Sequence, residues 1–500
     1  MSDDLCYWSA GEVAAAIREK RVSPLEVFEA VAKRIEAVNP KINGFVTLTL
    51  DQARDAAKQA QESLMRTGDI GPLHGVPVAV KDDLAVKGVR YTCGSNLLSE
   101  HIAGYDDLTV ERLRRAGAII LGKTNLPEFG HKGTTDNLLF GPTNNPWDLT
   151  RTSGGSSGGS AAVVAAGLAY LALGTDIGGS IRIPASCCGV VGHKPSLGRV
   201  PRVPVGNFFN TAWTAGPIAR SVADCALGLQ VVAGPDIRDP FSIPPFAPGE
   251  LALGGDLAGL RIGWTPSPTS APVEPVVANA ARKTLDLLES RGVKVEDRRE
   301  KLPIPHSALR SLLAGDALLV FVLAEMHSPW RSFLLRILSW FRSRYRFSPS
   351  FARLARTGYH TPLWRYIAAQ KEITDFVEKS VWALFGDCDL LATPTIALPP
   401  FLHPGVGELG PAQVAGQSVD RHVEWMFTWP FNLSGQPAVS VPCGWTADGL
   451  PIGLQIVGRR CQDGLVLRVA AAIEALQPWA GRRPSAAEAE PVAAPDPAGM

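Results

Sequence analysis

The run Gly75-Val-Pro-Val-Ala-Val-Lys-Asp82 narrows the choice of fold more than any other feature of this chain. It is short, apolar and rich in β-branched residues, which predicts a buried strand, and it delivers a lysine, Lys81, at its end, where such a residue is out of place. A helical pattern over Thr109 to Gly117 and a second strand over Ala118 to Leu121 follow, the alternation of an α/β sheet. Upstream, helical patterns cover Ala10 to Arg18 and Ser23 to Val38. In the second, Ser23 is the N-cap, Pro24 takes the first helical position and Glu26 stands three residues after the cap. Both helices are expected at the periphery. A Pro-rich section, about 240 to 308, contains a strand and a helix (Leu260 to Trp264, then Ala280 to Arg291) that continue the same sheet.

With 500 residues the chain has length for several domains, although large α/β enzymes often use such a length for one sheet. Lys and Arg (49) nearly cancel Asp and Glu (48), so no polyelectrolyte partner is indicated and nucleic acid is excluded as a target. The eight cysteines, Cys6, Cys93, Cys187, Cys188, Cys225, Cys388, Cys443 and Cys461, lack the spacing of a zinc site or a disulfide framework, which fits a reducing compartment. The first residues hold no basic stretch followed by an apolar run, and no segment reaches the roughly 18 to 20 unbroken apolar residues of a membrane span. A cytoplasmic, soluble protein without stable membrane insertion is expected.

Glycine, serine and threonine are dense between Gly130 and Gly198, interrupted by a helix from Ser160 to about Ala169 and a strand over Leu171 to Gly174. Three readings compete for Gly154-Gly-Ser-Ser-Gly-Gly-Ser160. A phosphate-cradling loop lacks the lysine that a P-loop places before its Ser or Thr. The residues also spell G-x-S-x-G, yet that elbow follows a buried strand, and here a polar loop (Asn145 to Ser153) precedes it. A flexible linker conflicts with the Ala/Val helix that follows at once.

The second segment is Gly174-Thr-Asp-Ile-Gly-Gly-Ser-Ile-Arg-Ile-Pro184. Consecutive glycines before a serine let several N–H groups converge, as an oxyanion hole requires, so Ser180 and its anion receptor can come from one loop. The plainer alternative is a tight strand-to-strand turn with a solvent-facing serine. None of the nine histidines lies in a triad signature, which leaves lysine as the candidate base. Burial favours a neutral amine, and Lys81 has that setting; a structural pairing of Lys81 with Asp82 or Asp83 is the competing explanation.

Gly71 to Asp82, Phe140-Gly-Pro-Thr-Asn-Asn-Pro-Trp147, Gly154 to Ser160, Gly174 to Pro184, Phe431 to Gly444 and Gly449 to Gly458 are similar, in order and spacing, to the amidase signature family. The match covers about 8 to 475. The resemblance implies an α/β fold, a single large domain with a central mixed β-sheet flanked by helices on both faces. That domain would span 1–478, with a catalytic core about 71–235 and 385–475, a variable substrate-selecting region about 300–365, and a disordered Ala/Pro-rich tail over 479–500. It also implies a Ser-cisSer-Lys triad that maps onto Ser180, Ser156 and Lys81, and an oxyanion hole from the N–H groups of Ile177, Gly178, Gly179 and Ser180. Asp176 and Arg182 are expected to brace the loop as an ion pair, with Ser157 and Thr175 as supporting donors. Two positions depart from the family pattern: His193, where an apolar residue is common, and Ser153, where proline or a small residue is frequent.

The expected activity is hydrolysis of a small-molecule carboxamide, with an apolar or aryl acyl group, through an acyl-enzyme. The motive for that acyl group is aromatic: Trp330, Phe333, Trp340, Phe341 and Tyr345 on a helix over Trp330 to Phe347, with Trp425 and Trp429 before the Phe431 motif. Ordinary core packing is the other reading of these residues. Arginines around that helix also permit contact with an anionic membrane surface or a homodimer contact. Three alternatives remain open at this point: the glutaminase subunit of a tRNA-dependent amidotransferase, an esterase or carbamate hydrolase on the same core, and a non-catalytic binding scaffold. No metal or organic cofactor is implied, so turnover is expected to survive EDTA, as an activity assay before and after chelation will test.

Overall fold

The computed structural model describes residues 5–66, 70–204, 210–325 and 347–485. Eleven strands form one sheet: β1 (Phe45–Leu48), β2 (Pro77–Lys81), β3 (Ile119–Thr124), β4 (Leu171–Asp176), β5 (Val191–Lys194), β6 (Thr214–Ala219), β7 (Arg261–Trp264), β8 (Lys294–Asp297), β9 (Leu390–Pro394), β10 (Ala438–Trp445) and β11 (Pro451–Gly458). Their spatial order is β1-β3-β2-β4-β6-β5-β10-β11-β9-β7-β8. The sheet is mixed. β2 runs parallel to β3 and β4, the strands from β4 to β9 in that order pair antiparallel, and β9, β7 and β8 are parallel again.

Helices flank this sheet. α1 (Ala10–Arg18), α2 (Pro24–Ile42) and α3 (Leu50–Arg66) precede the core; α4 (Leu108–Arg115), α5 (Gly158–Ala165), α6 (Arg182–Cys188), α7 (Val222–Val232) and α8 (Pro275–Glu289) fall between strands. Then come α9 (His306–Glu325), α10 (Pro349–His360), α11 (Leu363–Phe376) and, last, α12 (Asp463–Leu476). α4 and α8 each cross between two parallel strands, the connection such a pair requires. In α2 the expected capping box is present: Glu26 N–H donates to Ser23 Oγ (3.1 Å) and Ser23 N–H to the Glu26 carboxylate (2.8 Å). α2 runs four residues beyond its expected end, to Ile42, because Asn39 Oδ1 accepts from the N–H groups of Gly44 (3.1 Å) and Phe45 (2.8 Å) and ties the helix to β1.

β2 reads as an unbroken apolar run because all five of its residues are buried. α5 has no polar face for the same reason: every residue from Gly158 to Ala165 is buried. Its approach to the sheet requires glycine at 159, where a Cβ would stand 2.4 Å from Asn125 N and 2.6 Å from Gly44 O. After β4 the chain enters α6 rather than a second strand, so the strand-to-strand turn considered for Gly178-Gly-Ser180 is not formed. The expected helix over Trp330 to Phe347 lies outside the described residues except for Phe347, which is buried, and the expected tail lies outside them from residue 486 onward. No helix among the described residues is long and apolar enough to cross a membrane, and no disulfide joins the described cysteines.

At the end of β2 the two acids after Lys81 part company. Asp82 Oδ1 accepts from Lys123 Nζ on β3 (2.8 Å), both side chains being fully buried, and Asp82 Oδ2 accepts from Thr92 N–H (3.1 Å) and Oγ1 (2.5 Å). Asp82→Ala would leave a buried ammonium without its carboxylate, and urea unfolding is expected to show a loss of about 3–5 kcal/mol. Replacing both partners, Asp82→Leu with Lys123→Met, is expected to recover most of it.

Candidate active site

Lys81 is completely buried, and its ammonium donates to Ser156 Oγ (2.7 Å) and Thr175 Oγ1 (2.7 Å). Asp83 Oδ2 stands 3.3 Å away and accepts a second bond from Thr175 Oγ1 (2.6 Å). Of the two acids weighed as partners for Lys81, Asp83 is therefore the one in contact. Burial lowers the Lys81 pKa; the nearby Asp83 carboxylate, and Asp176 beyond it, act in the opposite sense. The neutral amine is favoured by the first effect and kept within reach of protonation by the second.

Ser156 follows a cis peptide bond, Gly155–Ser156, and is 2 % exposed. Thr135 Oγ1 donates to the Ser156 carbonyl (3.4 Å) and accepts from Gly158 N–H (3.0 Å), which joins the loop to the start of α5. The segment Glu128 to His131 walls the hydroxyl, since a Cβ on Gly130 would lie 3.3 Å from Ser156 Oγ. Ser157 stitches the two loops together: its N–H donates to the Ser180 carbonyl (3.0 Å), its Oγ donates to the Thr175 carbonyl (3.2 Å), and Thr175 N–H donates to Ser157 Oγ (3.3 Å). Ser180 is half-buried, as are Ile177 and Gly178, between fully buried neighbours. Its hydroxyl makes no hydrogen bond among the described residues, so the Ser180 to Ser156 link is not made in this structure.

Asp176 and Arg182 form the expected ion pair, both fully buried, with Nε on Oδ2 (3.0 Å) and Nη2 on Oδ1 (3.0 Å). The rest of the guanidinium donates to the Thr428 carbonyl (2.9 Å), Gln455 Oε1 (2.6 Å) and Asn432 Oδ1 (2.5 Å). Asp176 also accepts from Gly179 N–H (2.6 Å), Ile181 N–H (3.1 Å) and Asn432 Nδ2 (2.8 Å). On the other side of the loop Thr428 Oγ1 donates to the Gly178 carbonyl (2.6 Å). In a planar trans peptide C=O and N–H point opposite ways, so the Gly178–Gly179 unit is held from both ends.

Of the four N–H groups that the resemblance implies for the oxyanion hole, that of Gly179 donates to Asp176 Oδ1, while those of Ile177, Gly178 and Ser180 have no acceptor among the described residues. Gly179 is needed for its backbone: φ is +128°, and a Cβ there would lie 2.0 Å from Thr428 Oγ1.

Thr135, Thr428, Asn432, Gln455 and the Lys81 contact of Asp83 were not assigned to the site from sequence. Asn432 and Gln455 lie inside motifs that mark the family, which was the available signal. The two departures from the family pattern are accounted for structurally: His193 Nε2 meets Asp463 Oδ1 at 3.2 Å, and Ser153 Oγ donates to the Thr143 carbonyl (3.1 Å). Trp425 is a core residue, fully buried with its indole N–H on the Arg421 carbonyl (2.8 Å), whereas Trp429 lies beside Gly178 and stacks on Phe376 (5.4 Å between centroids). A surface cavity of about 540 Å³, lined by Arg151, Phe401, His403 and Arg421 among others, shares no residue with this cluster.

The family model described as Amidase matches residues 26–467. An acylamidase of Rhodococcus erythropolis is 38 % identical over 495 residues, covering 97 % of this chain and 99 % of that one. A glutamyl-tRNA(Gln) amidotransferase subunit of Moorella thermoacetica is also 38 % identical, over 497 residues, covering 96 % and 99 %. The crystal structure of a bacterial aryl acylamidase of the amidase signature family superposes with a TM-score of 0.88 at 32 % identity, covering 97 % of this chain and 99 % of that one. The chain belongs to the amidase signature family. It is a serine amidase, a hydrolase of carbon–nitrogen bonds in amides.

The bracing pair has a measurable signature. Burial alone would raise the Asp176 carboxyl, but Arg182 holds it down at about 2. A depressed carboxyl contributes stability that is complete above its unfolded value of about 4 and is lost as pH falls through about 2. In Arg182→Gln burial prevails and the carboxyl rises. Thermal melts between about pH 2 and 6 are expected to show the dependence reversed: the parent loses stability as pH falls through about 2, whereas the variant, less stable near neutral pH, gains stability as the raised carboxyl is protonated.

Proposed function

We propose that Ser180 is the nucleophile, Ser156 the proton relay and Lys81 the base of this amidase, and that its substrates are small carboxamides with an apolar or aryl acyl group. The observation that carries the proposal is the 2.7 Å contact between a fully buried lysine and Ser156 Oγ. Rotation about χ1 of Ser180 brings its hydroxyl to Ser156 when substrate docks. Ser180 Oγ then attacks the carbonyl carbon, its proton moves to Ser156, and the Ser156 proton moves to neutral Lys81. The oxyanion is received by the N–H groups of Ile177, Gly178 and Ser180, each worth about 2.7–4 kcal/mol in the transition state. The proton returns to the nitrogen, the amine leaves, and water repeats the cycle on the Ser180 ester.

For the acyl group, support comes from Trp429 beside Gly178 and from the Glu128 to His131 wall, where Phe129 packs on Phe351 of α10 (5.0 Å). α10 belongs to the stretch about 300–365, which we assign as the substrate-selecting part of a domain spanning 1–478. The acylamidase relative and the aryl acylamidase structure favour the same substrate class. A cytoplasmic location belongs to this reading. The equally similar amidotransferase protein supports a second one, hydrolysis of glutamine for a partner complex. A screen of aryl amides, aliphatic amides and glutamine, with and without partner subunits, separates the two: the first reading expects aryl amides to be turned over best by the chain alone.

Ser180→Ala and Lys81→Ala are each expected to lower kcat by about 10⁴-fold or more, with labelling by a fluorophosphonate lost in the first. Because the neutral lysine is the base, kcat/KM is expected to rise with pH through the Lys81 titration. Asp83→Asn removes the charge that pulls this pKa upward, so the acid limb of the profile is expected to move to lower pH. A limb that stays in place would separate Asp83 from the base, and a rate optimum near pH 5 would discard Lys81 itself.

A further inference from the structure

We propose that the corner joining α10 to α11 docks the protein on an anionic lipid surface. Four large apolar side chains are outward there: Tyr359 is 76 % exposed, Leu363 73 %, Trp364 70 % and Ile367 55 %. They lie within nine residues of chain, around the Thr361-Pro362 turn. Folding does not call for them. α11 turns Ala369, Ile373 and Phe376 inward, and the ring of Tyr366 lies against α9, where a Cβ on Gly315 would come within 2.5 Å of it. Apolar side chains scattered singly over a surface need no explanation, but a contiguous cluster marks a contact.

Charge selects the partner. Arg356 and Arg365 flank the cluster, are exposed, and make no ion pair among the described residues. From Phe347 to Gln370 the sequence has no Asp or Glu but three arginines, in a chain whose net charge is only +1. A second copy applied to this face about a two-fold axis would oppose arginine to arginine. An anionic bilayer accepts both parts at once, because Trp and Tyr settle at the headgroup level and each arginine near the surface adds about 1 kcal/mol. Since no described helix can cross a membrane, the association is peripheral. It is independent of the assignment of Ser180, Ser156 and Lys81.

The test is co-sedimentation of the full-length protein with vesicles of phosphatidylcholine alone and with about one-third phosphatidylglycerol. The wild type is expected to sediment with the anionic vesicles only. Arg356→Gln with Arg365→Gln is expected to weaken that binding about thirtyfold, and Trp364→Ser with Ile367→Ser to abolish it. Both variants are expected to keep the parental circular dichroism spectrum and melting transition, which shows that they fold. Should a variant fail to fold, hydrogen–deuterium exchange of the wild type decides: amides of 356–368 slow on anionic vesicles. The proposal is overturned by no binding, by equal binding to neutral vesicles, by binding that survives both variants, or by exchange unchanged over 356–368. A concentration-dependent dimer broken by Trp364→Ser would equally overturn it, by giving this face to a second copy.

Discussion

The buried pair of Asp176 and Arg182 is the constraint on which the site depends. Taking two charges out of water costs several kcal/mol per ion unless the remaining donors and acceptors are met, and here they are met from distant parts of the chain. Gly179, Ile181 and Asn432 serve the carboxylate, while Thr428, Asn432 and Gln455 serve the guanidinium. Because Gln455 belongs to β11 and Asp176 ends β4, the pair couples the two halves of the sheet directly under the loop that carries Ser180. It also decides which N–H groups of that loop stay free. One short loop thus carries both a structural clamp and three N–H groups that have no acceptor among the described residues.

Two lysines end adjacent strands, and their settings differ in one respect. Lys123 meets a carboxylate at 2.8 Å, whereas Lys81 meets two hydroxyls at 2.7 Å and its carboxylate only at 3.3 Å. A hydroxyl accepts from an ammonium, but it stabilises the charge less than a carboxylate does. Desolvation therefore prevails at Lys81. The counter-charge of Lys81 stands at 3.3 Å and is shared with Thr175.

The outer helices reach this site at the Glu128 to His131 wall and, from α11, through Phe376 against Trp429. Glu128 accepts from Ser95 Oγ (2.7 Å) and from Ser348 N–H at the head of α10 (2.6 Å), and Phe129 and His131 both contact the ring of Phe351. Gly130, in the same segment, lies against Ser156. The head of α10 is thereby tied to the wall beside Ser156.

Much was legible in the residues alone. Periodicity and capping located α1, α2, β2 and β4 because those signals are local: a Ser-x-x-Glu box and a β-branched run act over a few residues. Lys81, Ser156 and Ser180 stood out because glycine-rich loops and a lysine at a strand end break local rules, and an ion pair between Asp176 and Arg182 was expected from their nearness in sequence. What only the tertiary structure decided was partner choice across long separations. Asp83 rather than Asp82 faces Lys81 because the pairing of β2 with β3 brings Lys123 to Asp82; Gly179 N–H is lost to Asp176 because Thr428, some 250 residues away, orients its peptide. Hydrogen bonds and charge pairs are set by distances of a few ångströms, which no local pattern specifies until the sheet has brought its strands together.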